Sequence, residues 1–484
     1  MFSPPLDIIL LFAATTPMVG WCTSKSRFKS FCGLYVIIGL SISAYALYSI
    51  LHEALANPVR IPVSIDYLHS SLKIDALGVF MAATIIAMGI FTAIYSLRFM
   101  AKDTGISLYY TLLMFMIAGM IGVVFANDFF TLFIFWELMS ISSYILVAFR
   151  KHNPEPVEAG LKYLVMGAAG SASLLFGISL IYGLAGTLNF EALASALAGA
   201  KGSWLYLASL LVFIGFGIKA AIVPLHAWLP DAYSAAPSSI SAILSAVVTE
   251  TGIYALCRIF FAIFNPALVE WPIIFAILSV ITMTFGNIVA LLQMDLKRLL
   301  AYSSLGHIGY MLVGLAAGNQ LGLTGTILHI FNHALMKGAA FLCVGAIIYR
   351  LGAGRLDEIA GVGRKMPITT VAFGISLFAL TGMPPLNGFI SELTLFMASV
   401  QAGMAWLGIA IVLNSALSAG YYLRVIRALI QPVKSKEIEN VKETPAIMLI
   451  PICIMTIFIL LFGIWPDPIL EFARKAAAVL PYAT

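Results

Sequence analysis

The sequence predicts an all-α integral membrane protein with about fourteen transmembrane helices. Three observations carry that prediction. Of 484 residues, 61% are hydrophobic and 10% charged, with a mean hydropathy of +1.00. A bilayer core needs about 20 consecutive apolar residues, and nearly the whole chain divides into such runs. The longest hydrophilic gap is about twenty residues, which leaves no room for a soluble domain.

The runs fall at roughly 6–22, 31–52, 75–97, 108–125, 129–149, 161–184, 204–223, 238–262, 270–293, 300–318, 322–349, 368–400, 404–430 and 446–465. The opening MFSPPLDIILL lacks a basic n-region and a cleavage site, so it is not a signal peptide. Cys22, Cys32, Cys257, Cys343 and Cys453 are scattered without a CxxC, which argues against an iron–sulfur cluster, a zinc site or a disulfide framework. Basic residues set the orientation. Of 27 Lys and Arg, 18 follow odd-numbered spans and 5 lie on the other side, so both termini are expected outside and the basic loops in the cytoplasm. The net charge of +5 reflects this loop bias and does not point to nucleic acid.

The first three spans carry no chemistry. Segment 53–74 mixes proline with alternating Val and Ile and is expected to form a short external hairpin. Span five, FFTLFIFWELMSISSYILVAF, holds Glu137 near its middle. A mid-span acid is rare and costly, so it reads as an ion-pathway carboxylate; the alternative is a structural glutamate bonded near Ser140 and Thr131. Lys162, close to the start of span six, can snorkel to the interface.

Span seven, LVFIGFGIKAAIVPLHAWLPDAYSAAPSS with its continuation, carries Lys219. Pro224 must break or kink the helix, and His226, Trp228, Pro230, Asp231 and Pro237 form a polar elbow. A lysine in hydrocarbon costs about 3 kcal/mol or more, and a broken membrane helix needs protein or water around it. Glu137 is the expected partner of Lys219, and moving it would release the lysine's proton. His226 is open between interfacial packing and proton relay. Span eight, SSISAILSAVVTETGIYALCRIF, places Glu250 at mid-depth, with Arg258 nearer the end as an anchor.

In span ten, His307 is open between a packed core histidine and a relay. Span eleven, GTILHIFNHALMKGAAFLCVG, sets His329, His333 and Lys337 at i, i+4 and i+8 on one helix face. The three cover about 12 Å of axis, a spacing suited to proton hopping. A haem would need ligands facing one another from separate helices, which this stripe does not supply. Span twelve is interrupted at Pro384-Pro385, with Asn387 and Gly388 beside the break and Glu392 two turns on. It mirrors span seven five spans later. Spans four to eight and nine to thirteen therefore read as an inverted pair of five-helix repeats, about 108–262 and 270–430, a transporter signature. Span fourteen and a short amphipathic tail close the chain over 431–484.

The HxWLPDAYSxAPSS elbow after a lysine-bearing helix, DLKRLLAYSSLGHIGY, and HxxxHALMK followed by GMPPLNGFISE resemble the antiporter-like, proton-translocating membrane subunits. Such subunits occur in respiratory complex I, in energy-converting membrane-bound hydrogenases and related archaeal complexes, and in multisubunit sodium/proton antiporters. The resemblance covers about residues 75–430, after N-terminal helices and an external loop at 1–74. It implies fourteen helices, two inverted five-helix repeats with helices 7 and 12 broken, and a polar axis in mid-membrane. By motif, Glu137, Lys219, the His329–His333–Lys337 cluster and Glu392 match the family's functional positions. One position departs: Glu250 stands where the family usually has lysine.

The resemblance implies a multi-pass protein of a prokaryotic cell membrane, a subunit of an oxidoreductase or hydrogenase complex with no redox centre or cofactor of its own. Its implied partners are other membrane subunits, antiporter-like ones among them, and a peripheral redox arm. A change in a neighbour would break Glu137–Lys219, and the proton would pass towards Glu250, the histidine stripe and Glu392, then outside. A sodium/proton antiporter subunit, a quinone-binding redox subunit and a non-pumping structural subunit are the rival readings. A visible chromophore would mark the second, and facing histidines or cysteine pairs are what it lacks.

Overall fold

Proline, aspartate and glycine punctuate the helices. Asp75, Asp128 and Asp295 each accept a hydrogen bond from a backbone N–H of the first turn they precede, satisfying donors the helix itself leaves free. The computed structural model describes residues 4–24, 31–56, 72–198, 202–264, 270–433 and 436–480. Its helices are α1 (Pro4–Ser24), α2 (Phe31–Ala56), α3 (Ala76–Phe99), α4 (Ile106–Phe125), α5 (Phe129–Val147), α6 (Pro154–Ala185), α7 (Phe190–Leu197), α8 (Ser203–Lys219) and α9 (Trp228–Ala235). They continue with α10 (Ser238–Ala262), α11 (Trp271–Leu292), α12 (Leu296–Ala317), α13 (Gln320–Leu351), α14 (Pro367–Leu380), α15 (Asn387–Gln401), α16 (Ala405–Ile430), α17 (Lys436–Glu439), α18 (Ala446–Ile464) and α19 (Asp467–Ala477). Among the described residues β-structure is confined to three isolated bridges. The hairpin expected at 53–74 lies almost wholly outside the described residues.

Among the described residues, twelve helices are long and apolar enough to cross a membrane. The two proline-interrupted runs are each two pieces: α8 and α9 around a cis Val223–Pro224 bond, α14 and α15 around a cis Pro384–Pro385 bond. The run expected at 161–184 extends back to Pro154, because proline is tolerated in the first helical turn and the polar residues 154–160 continue the same helix.

The order of layers follows from burial. The apolar window of α10 is 100% buried inside the protein and that of α12 94%, against 28% for α2 and 33% for α16, so the first two are central and the latter two face outward. Small residues let the central helices close on one another. A Cβ at Gly309 would lie 2.6 Å from the Met283 nitrogen, so α11 and α12 can touch only with glycine there. Likewise a Cβ at Gly252 would lie 2.8 Å from the Ala220 nitrogen, which brings α10 against the break after α8. Within α10, residues Leu244–Val248 form a π turn, and the Thr249 hydroxyl donates to the Leu244 carbonyl at 3.1 Å. Such bulges are over-represented at functional sites, and this one immediately precedes Glu250.

Candidate functional site

Lys219 is the last residue of α8, 3% exposed. Its Nζ donates to Tyr163 OH at 2.8 Å, Ser140 Oγ at 3.2 Å and Ser143 Oγ at 3.3 Å. It also lies 4.9 Å from the Tyr163 ring centre and 5.3 Å from that of Tyr144, within cation–π range. Trp228 stacks on Tyr163 with centroids 3.9 Å apart and rings 5° from parallel, and its Nε1 donates to the Ile218 carbonyl at 2.7 Å. The elbow thus caps α8 and roofs the lysine at once.

The expected Glu137–Lys219 ion pair is not formed. Glu137 is half-buried and accepts from the Ser171 hydroxyl of α6. Ser140, one turn further along α5, takes the lysine instead, and the Glu137 charge acts on Lys219 only at longer range. Thr131, offered as a structural partner of Glu137, instead donates its backbone N–H and its hydroxyl, each at 2.7 Å, to Asp128, the residue that caps α5.

Glu250 and His333 are fully buried and meet across α10 and α13, with Oε1 2.8 Å from Nδ1. Beyond His333 three helices contribute a line of imidazoles and hydroxyls. The His307 ring, from α12, lies 5.0 Å from that of His333, and its Nδ1 is 3.1 Å from His329 Nε2. His329 Nδ1 is 2.9 Å from Ser391 Oγ, from α15. One set of tautomers satisfies the surrounding bonds. Asn332 Nδ2 donates to the Asn387 carbonyl at 2.8 Å and to Ser391 Oγ at 3.2 Å, while Ser391 donates to the Gly388 carbonyl at 3.0 Å. Ser391 therefore accepts from His329 Nδ1–H, which leaves His329 Nε2 as acceptor for His307 Nδ1–H. The neutral pair is ordered in one direction, with His307 Nε2 free to receive a proton.

Glu392 follows Ser391 in α15. Its Oε2 accepts from Ser415 Oγ at 2.7 Å, and Ser415 lies 3.3 Å from Tyr310 OH. The carboxylate rests on Gly382, whose φ is +73°; a Cβ there would lie 2.4 Å from Oε2. Lys337 is fully buried and donates to the Leu300 carbonyl at 3.0 Å and to the Ser303 hydroxyl, so it is held by the α12 backbone instead of extending the histidine line.

The structure therefore joins Glu250, His333, His329 and the neighbourhood of Glu392 in one buried run. Lys219 sits at one side of it among tyrosine and serine, and Glu137 is outermost. His307, which the sequence left open, is a full member; His226 packs on Phe285 at 4.7 Å and takes no part. Arg258, read as an anchor, forms a buried ion pair with Asp75 at 2.6 Å. Tyr163, Ser143, Ser391 and Ser415 carry no sequence signal of their own. Contrary to expectation, two histidines from separate helices do face each other. At 3.1 Å, however, His307 Nδ1 and His329 Nε2 are at hydrogen-bond distance and leave no space for a haem iron between them, since two metal–nitrogen bonds in line need about 4 Å. Among the described residues no group of three or more His, Cys, Asp or Glu is arranged to hold a metal ion.

Residues 126–418, which include every residue of this run, match the family described as NADH:quinone oxidoreductase/Mrp antiporter, TM. The F(420)H(2) dehydrogenase subunit N of Methanosarcina mazei is 35% identical over 85% of this chain and 85% of its own length. The NADH-quinone oxidoreductase subunit N of Trichlorobacter lovleyi is 38% identical over 77% of each chain. Among solved structures, a chain of the membrane-bound sulfane sulfur reductase, an archaeal respiratory membrane complex, superimposes with a TM-score of 0.90 at 26% identity over 98% of this chain and 96% of that one.

Proposed function

Since the chain belongs to the NADH:quinone oxidoreductase/Mrp antiporter transmembrane family, we propose that it is a proton-translocating, antiporter-like subunit of a multisubunit membrane oxidoreductase. The observation that carries this reading is the buried run Glu250–His333–His307–His329–Ser391. Groups that bind and release protons lie within one hop, or one water, of each other, through the middle of an apolar bundle. An isolated charge there would be very costly, so a fold that repeats titratable groups has a use for them.

The nitrogen-rich lining favours protons over sodium. Hard cations seek several oxygen ligands at once, whereas imidazole and amine nitrogens take protons. In the proposed cycle Lys219 holds a proton over Ser140, Ser143 and Tyr163. A movement in a neighbouring membrane subunit alters Glu137, and Lys219 gives up its proton towards Glu250. Glu250 passes it to His333 and His307. His307 Nε2 accepts while its Nδ1–H moves on to His329, and Glu392 receives it for release. Moving one charge against 100 mV needs about 2.3 kcal/mol, which the neighbour must deliver.

The rest of the reading is proposed on the span count, the basic-loop bias and the family resemblance together. Of fourteen spans, four to eight and nine to thirteen form two inverted five-helix repeats, 108–262 and 270–430, each with a broken helix beside the axis. The face with the basic loops is cytoplasmic, both termini are outside, and the partners are further antiporter-like subunits and a peripheral redox arm. The test is Lys219→Ala in the intact complex in liposomes, recording redox turnover and a pH-gradient dye together. A marked fall in the gradient with assembly intact supports the reading; two signals equal to those of the unmodified complex overturn it.

A further inference from the structure

A polar cavity of about 380 Å³ opens at the basic-loop face between α6, α9 and α12, lined by Glu155, Glu158, Lys162, Asp231, Asp295 and Arg298. Asp231 stands at its centre and bridges two cations. Its Oδ2 takes Lys162 Nζ at 2.9 Å, and its Oδ1 takes Arg298 Nη1 at 2.9 Å. Lys162 also reaches Glu158 at 2.8 Å. The far end of α9 is tied as well, because the buried Lys297 Nζ donates to the Ser234 carbonyl at 2.7 Å and the Ala236 carbonyl at 2.5 Å.

The bridge stands directly in line with Lys219. Lys162 precedes Tyr163 in α6, and Trp228 lies one turn before Asp231 in α9. The same two helices are thus joined twice, by the Lys162–Asp231 ion pair at the mouth and by the stacked Tyr163–Trp228 rings below it. Beneath the rings is the lysine, bonded to Tyr163 OH. The ion pair is partly solvated, with Lys162 49% and Asp231 24% exposed, whereas the Trp228 and Tyr163 rings are sealed. The other fastenings of α9 are buried, with Trp228 on the Ile218 carbonyl, the Tyr233 hydroxyl on the Leu244 carbonyl and Lys297 at its far end, so the partly solvated bridge is the fastening at the mouth that water can compete for.

We propose that the Lys162–Asp231–Arg298 bridge is the latch of the proton-uptake mouth. Asp231 is its positioning residue, deciding whether Trp228 stays stacked over Tyr163 and closes the cavity off from Lys219. The proposal rests on the reading that Lys219 carries the translocated proton. With the bridge closed, the rings exclude water from the lysine. With it open, α9 lifts, the rings part, and water from the cavity reaches Tyr163 OH and the lysine.

The test uses the intact complex in liposomes with Lys162→Gln, Asp231→Asn and Lys162→Arg. Two quantities are read without redox turnover: passive proton leak, and labelling of Met166→Cys by a water-soluble thiol reagent. Met166 lines the small cavity beside Lys162 and Trp228, and Cys22 and Cys453 are replaced by serine. A partly exposed ion pair shifts an opening equilibrium by a factor of roughly two to five. Labelling and leak should rise by that factor in Lys162→Gln and Asp231→Asn and return in Lys162→Arg, a pattern that lost packing alone would not give. Lys162→Gln changes a half-exposed side chain and keeps the test open if Asp231→Asn fails to assemble. If labelling and leak are unchanged while Lys219→Ala still abolishes the gradient, the latch is wrong and the translocation reading stands. If Lys219→Ala leaves the gradient intact, the translocation reading fails and the latch goes with it.

Discussion

Glu250→Gln keeps the shape of the side chain at the joint between α10 and α13 and removes its ability to hold a proton. The magnitude follows from the geometry. Glu250 Oε1 and His333 Nδ1 are 2.8 Å apart and neither side chain is exposed. Unit charges at that separation attract by about 6 kcal/mol at an effective dielectric of about 20. Removing one partner of a buried pair costs about 3–5 kcal/mol, because the other is left uncompensated. His333 must be cationic for a moment to pass a proton on. Without the carboxylate that state rises by those 3–5 kcal/mol, and at 1.36 kcal/mol per tenfold the hop slows by about 10² to 10⁴. The assay is gradient formation per redox turnover in liposomes, with assembly checked by sizing. Glu250→Asp, which withdraws the carboxylate by one methylene, should give an intermediate loss. A Glu250→Gln complex that pumps like the unmodified one would refute the reasoning and place the route elsewhere.

Two further outcomes check the site and its frame. His307→Gln and His329→Gln act on one hydrogen-bonded pair, so their effects on pumping should be coupled by about 0.5–3 kcal/mol in a double-mutant cycle; simple additivity would mean the rings are not in one relay. Gly252→Ala would set a Cβ 2.8 Å from the Ala220 nitrogen, overpacking worth about 1–3 kcal/mol. The thermal transition of the assembled complex should fall, and an unchanged transition would show that α10 does not bear on the break.

The spans were legible because a bilayer imposes one length on every helix that crosses it. The breaks were legible because proline cannot continue a helix. Partners across helices were not, since they depend on where each side chain turns. Lys219 ends its helix and bends towards Ser140, Ser143 and Tyr163, whereas sequence logic paired it with the nearest acid. His307 had a signal that went unused. It lies eleven residues before Gly318, and His329 eleven after, so two antiparallel helices joined at that glycine bring them to equal depth. The π turn before Glu250 had no proline or glycine to announce it; it is marked by the Leu244 carbonyl, which accepts from the Thr249 and Tyr233 hydroxyls.

The departure at Glu250 changes the charge pattern of the axis more than its path. Of the carboxylates and amines read as the axis, the signs now alternate in chain order: Glu137, Lys219, Glu250, Lys337, Glu392. Their electrostatic partners follow the same order, Glu137 acting on Lys219 and Glu250 on Lys337. A lysine at 250 would set a second cation against Lys337 across His333, where all three side chains are fully buried. The carboxylate instead compensates the lysine when ionised and becomes a neutral carrier when protonated. A lone buried charge is the state such an interior tolerates least. On this reading alternation lets each proton move leave a compensated pair behind it, and the imidazoles need only span the gaps between the pairs.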